Sequence, residues 1–419
     1  VLLKHALYFA LGIGYHSLNE VMEKANCRFE QWFKGVMARD LSDSKGQDPS
    51  GIQCVVRARA IWCLGEWVDS IKKPELRNPA YSFITVALKD RDMVVRLMAV
   101  KALISLVIDF HFKDTAKLYI QRHMAEHCEL LLRLTSEVRE LEARKLVSNA
   151  LRSIVEQLKD GIKPVAGMLL KYLPEMWKRC GEHDMQRPIL LSILKELTLA
   201  LKQDATKIHE FIVEVLRYSM DPKRDRYYLT EYAMELWHSL LYTAPSLTVP
   251  IVKLFPYWTH QIKNNLEQLE TSLPVLEAYI LLSNKKFLEM YGKLLSTTIC
   301  EVFAQVKDFG RELIVQHTEY LAQRFPQQFT AAMEPLVCTI LSTLLHACKV
   351  EEQKKGNVAN DKTLRIFSRL LTRLLVQDFS GVTKLMQKMS NGKGIEVLGM
   401  IMGLWLDRLG ESWALYKRR

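Results

Sequence analysis

The sequence has little glycine and proline, 18 and 13 residues in 419. So few turn formers exclude a disordered chain and a loop-rich β-architecture. No stretch approaches 18 apolar residues without a charge or a proline, so no membrane-spanning helix is expected. The run 5–19 lacks Lys, Arg, Asp and Glu, yet only Lys4 precedes it and no A-x-A cleavage site follows, so it is not read as a signal peptide. The cysteines at 27, 54, 63, 128, 180, 300, 338 and 348 form no C-x-x-C pair and no regular framework. They read as the reduced thiols of an intracellular protein.

Catalytic patterns are missing too. There is no G-x-S-x-G and no carboxylate pair on a strand-borne scaffold. Gly12-Ile13-Gly14 lacks the third glycine and a preceding strand, and Gly392-Lys393-Gly394 lacks the Walker spacing; both read as helix interruptions or turns. Ser105, Asp109 and His111 are near in sequence but fall on different helix faces. His123 and His127 share a face at a spacing that suits zinc, but no third ligand is evident, so they read as helix-surface histidines. Neither an enzyme, a metal nor a cofactor is expected. Acidic excess is absent as well. The net charge of +11 permits an acidic partner or nucleic acid, but the basic residues are dispersed rather than gathered in a block.

What is present is helix. About half the residues, 49%, are apolar, and the frequent residue types are helix formers. In the segment 89–109 the apolar residues Val95, Ala99, Ala102, Leu103 and Leu106 fall at offsets 0, 4, 7, 8 and 11, one face of a helix. Asp92 stands where a carboxylate caps the helix start. The template recurs at Val56, Ala143, Gln186, Leu229, Ile314 and Leu398, with weaker copies from Ser272 and Thr363. Successive starts lie 39, 48, 43, 43, 43, 42, 49 and 35 residues apart, the period of HEAT or armadillo arrays. Second amphipathic segments lie between: 29–41, 75–89, 116–134, 165–179, 208–218, 249–262, 287–306 and 328–348. Each unit is thus a helical hairpin that cannot bury both apolar faces alone and must stack on its neighbours.

The expected fold is therefore all-α, an α-α superhelix of the HEAT-repeat solenoid kind with about nine hairpins. It runs as one continuous solenoid over 1–419, with polar loops at 42–51 and 351–362. The chain starts with Val1 inside an apolar helical pattern, which predicts a piece of a longer protein.

Two residue sets stand out. Arg57, Arg96, Arg144 and Arg187 each follow the first template position. They are expected to form a ladder with acidic residues such as Asp92 in the neighbouring repeat, with contact to an acidic partner as the rival reading. Trp67, Trp237 and Trp405 occupy template positions and are expected in the core rather than at a binding hot spot.

The stretch from Asp92 to Leu106 resembles the HEAT signature. Other stretches resemble the importin-β (karyopherin-β) family, and within it the importin eleven type: Glu30-Gln31-Trp32-Phe33, Arg57 through Trp67 (RARAIWCLGEW), Lys171-Tyr172-Leu173-Pro174 with Trp177, Met234-Glu235-Leu236-Trp237, and Met402 through Arg408 (MGLWLDR). They occur in the family's order along nearly the whole chain. The resemblance maps the chain to the family's middle and later repeats. It implies a nuclear transport receptor that shuttles between cytoplasm and nucleus. Such a receptor holds protein cargo on the concave face and contacts FG-repeat nucleoporins on the outer face. The GTPase Ran controls loading, mainly through amino-terminal repeats that are absent here. A monomer is expected, with no membrane and no nucleic acid among the partners. One departure concerns cargo: family receptors are commonly acidic, and this chain is basic. A different HEAT scaffold or adaptor protein remains the alternative, since the helix template alone serves it equally.

Overall fold

The structure, a computed structural model, describes residues 1–24, 29–42, 53–71, 74–109, 113–182, 184–224, 226–283, 285–353, 361–403 and 406. Among them there is no strand. The chain is an all-α solenoid of helical hairpins, with two compact units at Val1–Phe211 and Ile212–Arg419.

In the first unit, helices α1 (Leu2–Ile13) and α2 (Tyr15–Lys24) open the chain, and α3 (Phe29–Trp32) and α4 (Ala38–Ser42) flank a π-helical turn. Then follow α5 (Gln53–Glu66), α6 (Pro74–Ala87), α7 (Met93–Ile108), α8 (Lys113–Glu137), α9 (Leu141–Leu158), α10 (Lys163–Arg179) and α11 (Gln186–Leu201). The division point falls inside α12 (His209–Ser219). Helices α1, α5, α7, α9 and α11 pack side by side as one layer, while α6, α8 and α10 form a second layer beneath them.

The second unit repeats the plan. Its helices are α13 (Tyr227–Thr243), α14 (Val249–Val252), α15 (Phe255–Asn264), α16 (Leu269–Leu282), α17 (Lys285–Gln305), α18 (Asp308–Arg324), α19 (Pro326–Ala332), α20 (Glu334–Gln353), α21 (Asp361–Gln377), α22 (Phe379–Met389) and α23 (Gly394–Gly403). Here α13, α16, α18 and α21 make the first layer, and α15, α17, α20 and α22 the second.

The template explains the first layer. From Val56 to Leu374 all template positions are buried except Phe325, which is half-buried. Small residues let backbones close in: a Cβ built on Gly65 of α5 would stand 2.8 Å from the Cα of Ala102 in α7. Gly12 of α1 is likewise pressed on the Trp62 ring, where a Cβ would come within 2.3 Å. The polar first template positions Gln186, Ser272 and Thr363 are all buried, and two of them pair their side chains. Gln186 donates to the Ser148 hydroxyl at 2.7 Å, and Thr363 donates to Glu312 at 2.5 Å. The period also marks the backbone: Lys159 and Lys202, each just past a template helix, both hold positive φ, 47° and 53°. Burial pushes the thiols of Cys63, Cys128 and Cys180 up to about 12, as suits packing rather than reactive groups.

Three expectations need correction. The frame from Leu398 is rotated: Val397 and Ile401 are buried, while Leu398 and Met402 are half-buried. That stretch is apolar all round, so hydrophobicity does not choose its face. The polar segment 351–362 is helical at its described ends, residues 351–353 closing α20 and Asp361 opening α21; 354–360 lie outside the described residues. Of 42–51, Ser42 closes α4 and the rest lies outside the described residues, as does Trp405.

The third correction is His127, which is fully buried rather than on a helix surface. Its Nε2 lies 2.9 Å from the Thr85 hydroxyl of α6, and Tyr119 stacks between Tyr81 and His123 beside it. Among the described residues no group of His, Cys, Asp and Glu is placed to hold a metal. Burial, aided by His123, lowers the His127 pKa from 6.5 to about 4. A buried ion pair, Arg77 with Asp109, lies in the same hairpin region, and the Arg77 Nε donates to the Ile71 carbonyl at 2.8 Å.

No single described helix is long and apolar enough to cross a membrane. The pair Pro326–Ala332 and Glu334–Cys348 passes that test only when joined across a 78° bend, and its Leu336, Ile340 and Leu344 are buried in the core.

Two stability tests follow from this packing. Gly65→Val should cost about 2 kcal/mol by overpacking against Ala102. Gly167→Ala, exposed on α10 with open space around it, should add about 0.5 kcal/mol or more. Urea unfolding checks both signs. The second test concerns pH. Between 6.5 and about 4 the unfolded chain takes up a proton that folded His127 refuses, so its contribution is complete above pH 6.5 and fades as the pH falls. The chain should lose about 2 kcal/mol from pH 7 to pH 5, and His127→Gln should lose clearly less.

Candidate functional site

The first layer of each unit has one side on the core and one side exposed, and the polar groups along its edge divide into two kinds. The first kind links neighbouring template helices. Arg57 of α5 donates from Nε to Oδ2 of Asp90 at 2.9 Å and from Nη2 to Oδ1 at 3.3 Å. Asp90 lies just before α7, and its carboxylate also accepts from the Asp92 N–H at 2.9 Å. Among the described residues Asp92 itself meets no arginine. Its carboxylate caps α7, accepting from the N–H groups of Val94 at 2.9 Å and Val95 at 3.1 Å. Arg96 of α7 reaches Glu137 at 2.6 Å, at the end of α8 before α9. Arg144 of α9 reaches Asp184 at 3.4 Å, before α11, and Asp184 in turn accepts from the Gln186 N–H at 2.9 Å.

The second kind was not evident in the sequence. Arg187 breaks the series: it donates to the carbonyls of Cys180 at 2.8 Å and Gly181 at 3.2 Å, with its guanidinium 4.4 Å over the Trp177 ring. Arg226 does the same at the next hairpin, donating to the Tyr218 carbonyl and lying 3.5 Å over its ring. Arg311 repeats it with the Phe303 carbonyl at 3.3 Å and the Phe303 ring at 5.5 Å. In each case an arginine near the start of a template helix satisfies carbonyls freed at the end of the preceding helix and covers an aromatic there. An arginine within three residues of a template start, with an aromatic eight to ten residues earlier, was the available signal.

The tryptophans sit as anchors. Trp67 is buried, stacks on Phe29 with centroids 4.8 Å apart, and donates to the Leu11 carbonyl at 2.9 Å. Trp237 is buried in α13 and donates to the Tyr279 hydroxyl at 3.1 Å. Tyr279 passes that bond on to the Ile251 carbonyl at 2.8 Å.

The exposed side of the layer carries the groups free to meet a partner. In the first unit Arg59 lies over the rings of Phe9 and Trp62 at 4.6 and 5.0 Å, and Lys101 pairs with Glu66 at 3.0 Å beside Trp62. In the second unit an open polar groove of about 440 Å³ runs over α16, α18 and α21. Glu277, His317, Tyr320, Arg369 and Arg373 line it, with Glu319 at its base. His317 Nδ1 meets Glu277 Oε2 at 2.7 Å.

The arginine links differ in depth, and that sets their stability effect. Arg57 and Asp90 have side chains only 13% and 7% exposed, whereas Glu137 is 46% exposed. Arg57→Ala should therefore cost about 2–3 kcal/mol, because it strands a buried carboxylate. Arg96→Ala should cost about 0.5 kcal/mol. Thermal unfolding of the two variants side by side measures this difference.

Comparison with known proteins places this architecture. Residues 189–417 match the family described as Importin-11-like, TPR repeats. The first three gaps of the second unit, 43, 42 and 49 residues, exceed the 34 residues of a standard TPR hairpin. Human Importin-11 is 26% identical over 98% of this chain, which spans 40% of that protein's length. Among solved structures, Lph2, titled a bidirectional nuclear transport receptor in S. cerevisiae, superposes with a TM-score of 0.71. That match has 21% identity over 92% of this chain and 39% of Lph2. Yeast Kap95p, in a structure titled for its binding of RanGDP, gives a TM-score of 0.62 at 12% identity, over 93% of this chain and 45% of its own. These two share the fold, and the family match covers more than half of the sequence: the chain belongs to the importin-11-like family.

Proposed function

We propose that the chain acts as a nuclear transport receptor. It binds protein cargo on the exposed side of the template-helix layer and contacts FG-repeat nucleoporins through the second layer. Ran in its GTP form governs loading, and the protein shuttles between cytoplasm and nucleus. The observation that carries this reading is the importin-11-like match over residues 189–417, on a chain built as two-layered helical hairpins. Kap95p, which shares the fold, binds Ran, and Lph2 transports in both directions. The physics suits the role. Each hairpin touches only its neighbours, so small rotations add along a stack. A partner that prefers one curvature then shifts the population and can expel another partner bound elsewhere. In this reading the arginine links of Arg57, Arg96 and Arg144 are structural. They fix the spacing between hairpins rather than contact cargo. Arg187 serves the same end by tying α11 to the end of α10.

The test uses the natural-length protein immobilised with bound cytosolic cargo. It should retain FG-repeat peptide, and GTP-loaded Ran should change its cargo occupancy, releasing import cargo or gaining export cargo. A protein that ignores both FG peptide and GTP-loaded Ran is not a transport receptor.

A further inference from the structure

The polar groove of the second unit has a built core. Glu319, on α18, has a side chain only 7% exposed, and both of its oxygens are taken. Arg373 donates from Nε to Oε1 at 2.9 Å, and Arg369 reaches Oε2 from Nη2 at 2.6 Å. One buried carboxylate thus fixes two guanidiniums, one helical turn apart on α21. Their side chains remain 36% and 56% exposed. A guanidinium has five N–H donors, so each arginine keeps several for a ligand after binding Glu319. Arg365, exposed one turn earlier on the same stripe, makes no hydrogen bond or ion pair among the described residues. The Tyr320 hydroxyl and the carboxamides of Gln316 and Gln323 add neutral donors to the lining.

We infer that this groove binds an acidic, extended peptide segment through Arg365, Arg369 and Arg373. The spacing supports it. Arginines four residues apart on a helix repeat at about 6 Å. Alternate side chains of an extended peptide repeat at about 6.6 Å. A segment with Asp or Glu at every second position therefore presents its carboxylates in register with the guanidinium forks, which suit carboxylate geometry. Oriented guanidiniums lose little freedom on binding, because Glu319 has already fixed two of them. The far wall favours peptide over nucleic acid. Glu277 stands there, held to His317 at 2.7 Å, where a phosphate backbone charged all along meets like charge, whereas a peptide with acidic residues at alternate positions turns its neutral side chains to that wall. The inference rests on the cargo reading only for the name of the ligand: as a receptor, the protein would take acidic cargo here, in keeping with its own +11 charge.

The test is fluorescence anisotropy on this chain with a labelled alternating Glu-Ser octapeptide, its Gln-Ser counterpart and an oligouridylate of equal length. The Glu-Ser peptide should bind, the Gln-Ser peptide should not, and affinity should fall with added salt. Arg365→Glu, which leaves Glu319 paired, should weaken binding about tenfold. The double variant Arg369→Lys, Arg373→Lys should also weaken it about tenfold, because lysines satisfy Glu319 but lack the fork. Circular dichroism confirms that both variants fold. Equal binding by the variants, equal binding of the Gln-Ser peptide, no binding at all, or tighter binding of the oligouridylate each overturns the inference. Because the peptide assay contains no Ran, its failure is distinct from failure of the transport reading.

Discussion

The structure depends on one constraint: a lone helical hairpin has two apolar faces and can cover only one of them. Stacking resolves it, and the stack is as close as its smallest residues allow. Gly65 against Ala102 shows the limit, since the approach leaves no room for a Cβ. Ala60, Ala99 and Ala233 hold the second template place, Ala102 and Ala150 the third, and all are buried. The large residues then fill what the small ones leave, as Trp67 and Trp237 do, each sending its indole N–H to an oxygen on another helix. Burial on this scale dominates the stability of such a chain, and the polar links act at its margin.

Those links nevertheless decide how hairpins follow one another. Arg57–Asp90, Arg96–Glu137 and Arg144–Asp184 join successive template helices at one end of the layer in the first unit. Arg187, Arg226 and Arg311 instead bind the carbonyls that close the preceding helix. Both devices satisfy groups that the helix geometry leaves open, and both act only between neighbours. In the proposed role, a stack held in this way changes its curvature through small rotations shared among neighbouring hairpins. That is the mechanical property a receptor with exchangeable partners needs.

The fold was largely legible, because the 0-4-7-8-11 face is a direct record of the shared seam, and it was buried even at the polar starts Ser272 and Thr363. Legibility ended where hydrophobicity surrounds the helix, as at Leu398, where Val397 and Ile401 take the buried face instead. It also ended where two similar residues compete: Asp90 and Asp92 are both acidic and two apart, and only the turn geometry sends one to Arg57 and the other to the helix cap. His127 looked like a surface residue because nothing local shows that Thr85, 42 positions earlier, will cover it. The groove was least visible. Glu277, Glu319 and Arg373 are separated by 42 and 54 positions, and only the layer of α16, α18 and α21 brings them together.

The membership of the chain in the importin-11-like family and the two-layered stack support the proposed carriage of protein through the nuclear pore. Passage itself is the most direct measurement. The natural-length protein, fluorescently labelled, is added to permeabilised cells with no other soluble factor, beside an inert protein of equal mass. The account predicts rapid entry into nuclei and accumulation at the nuclear rim, while the inert protein stays outside. Exclusion of both to the same extent would contradict it.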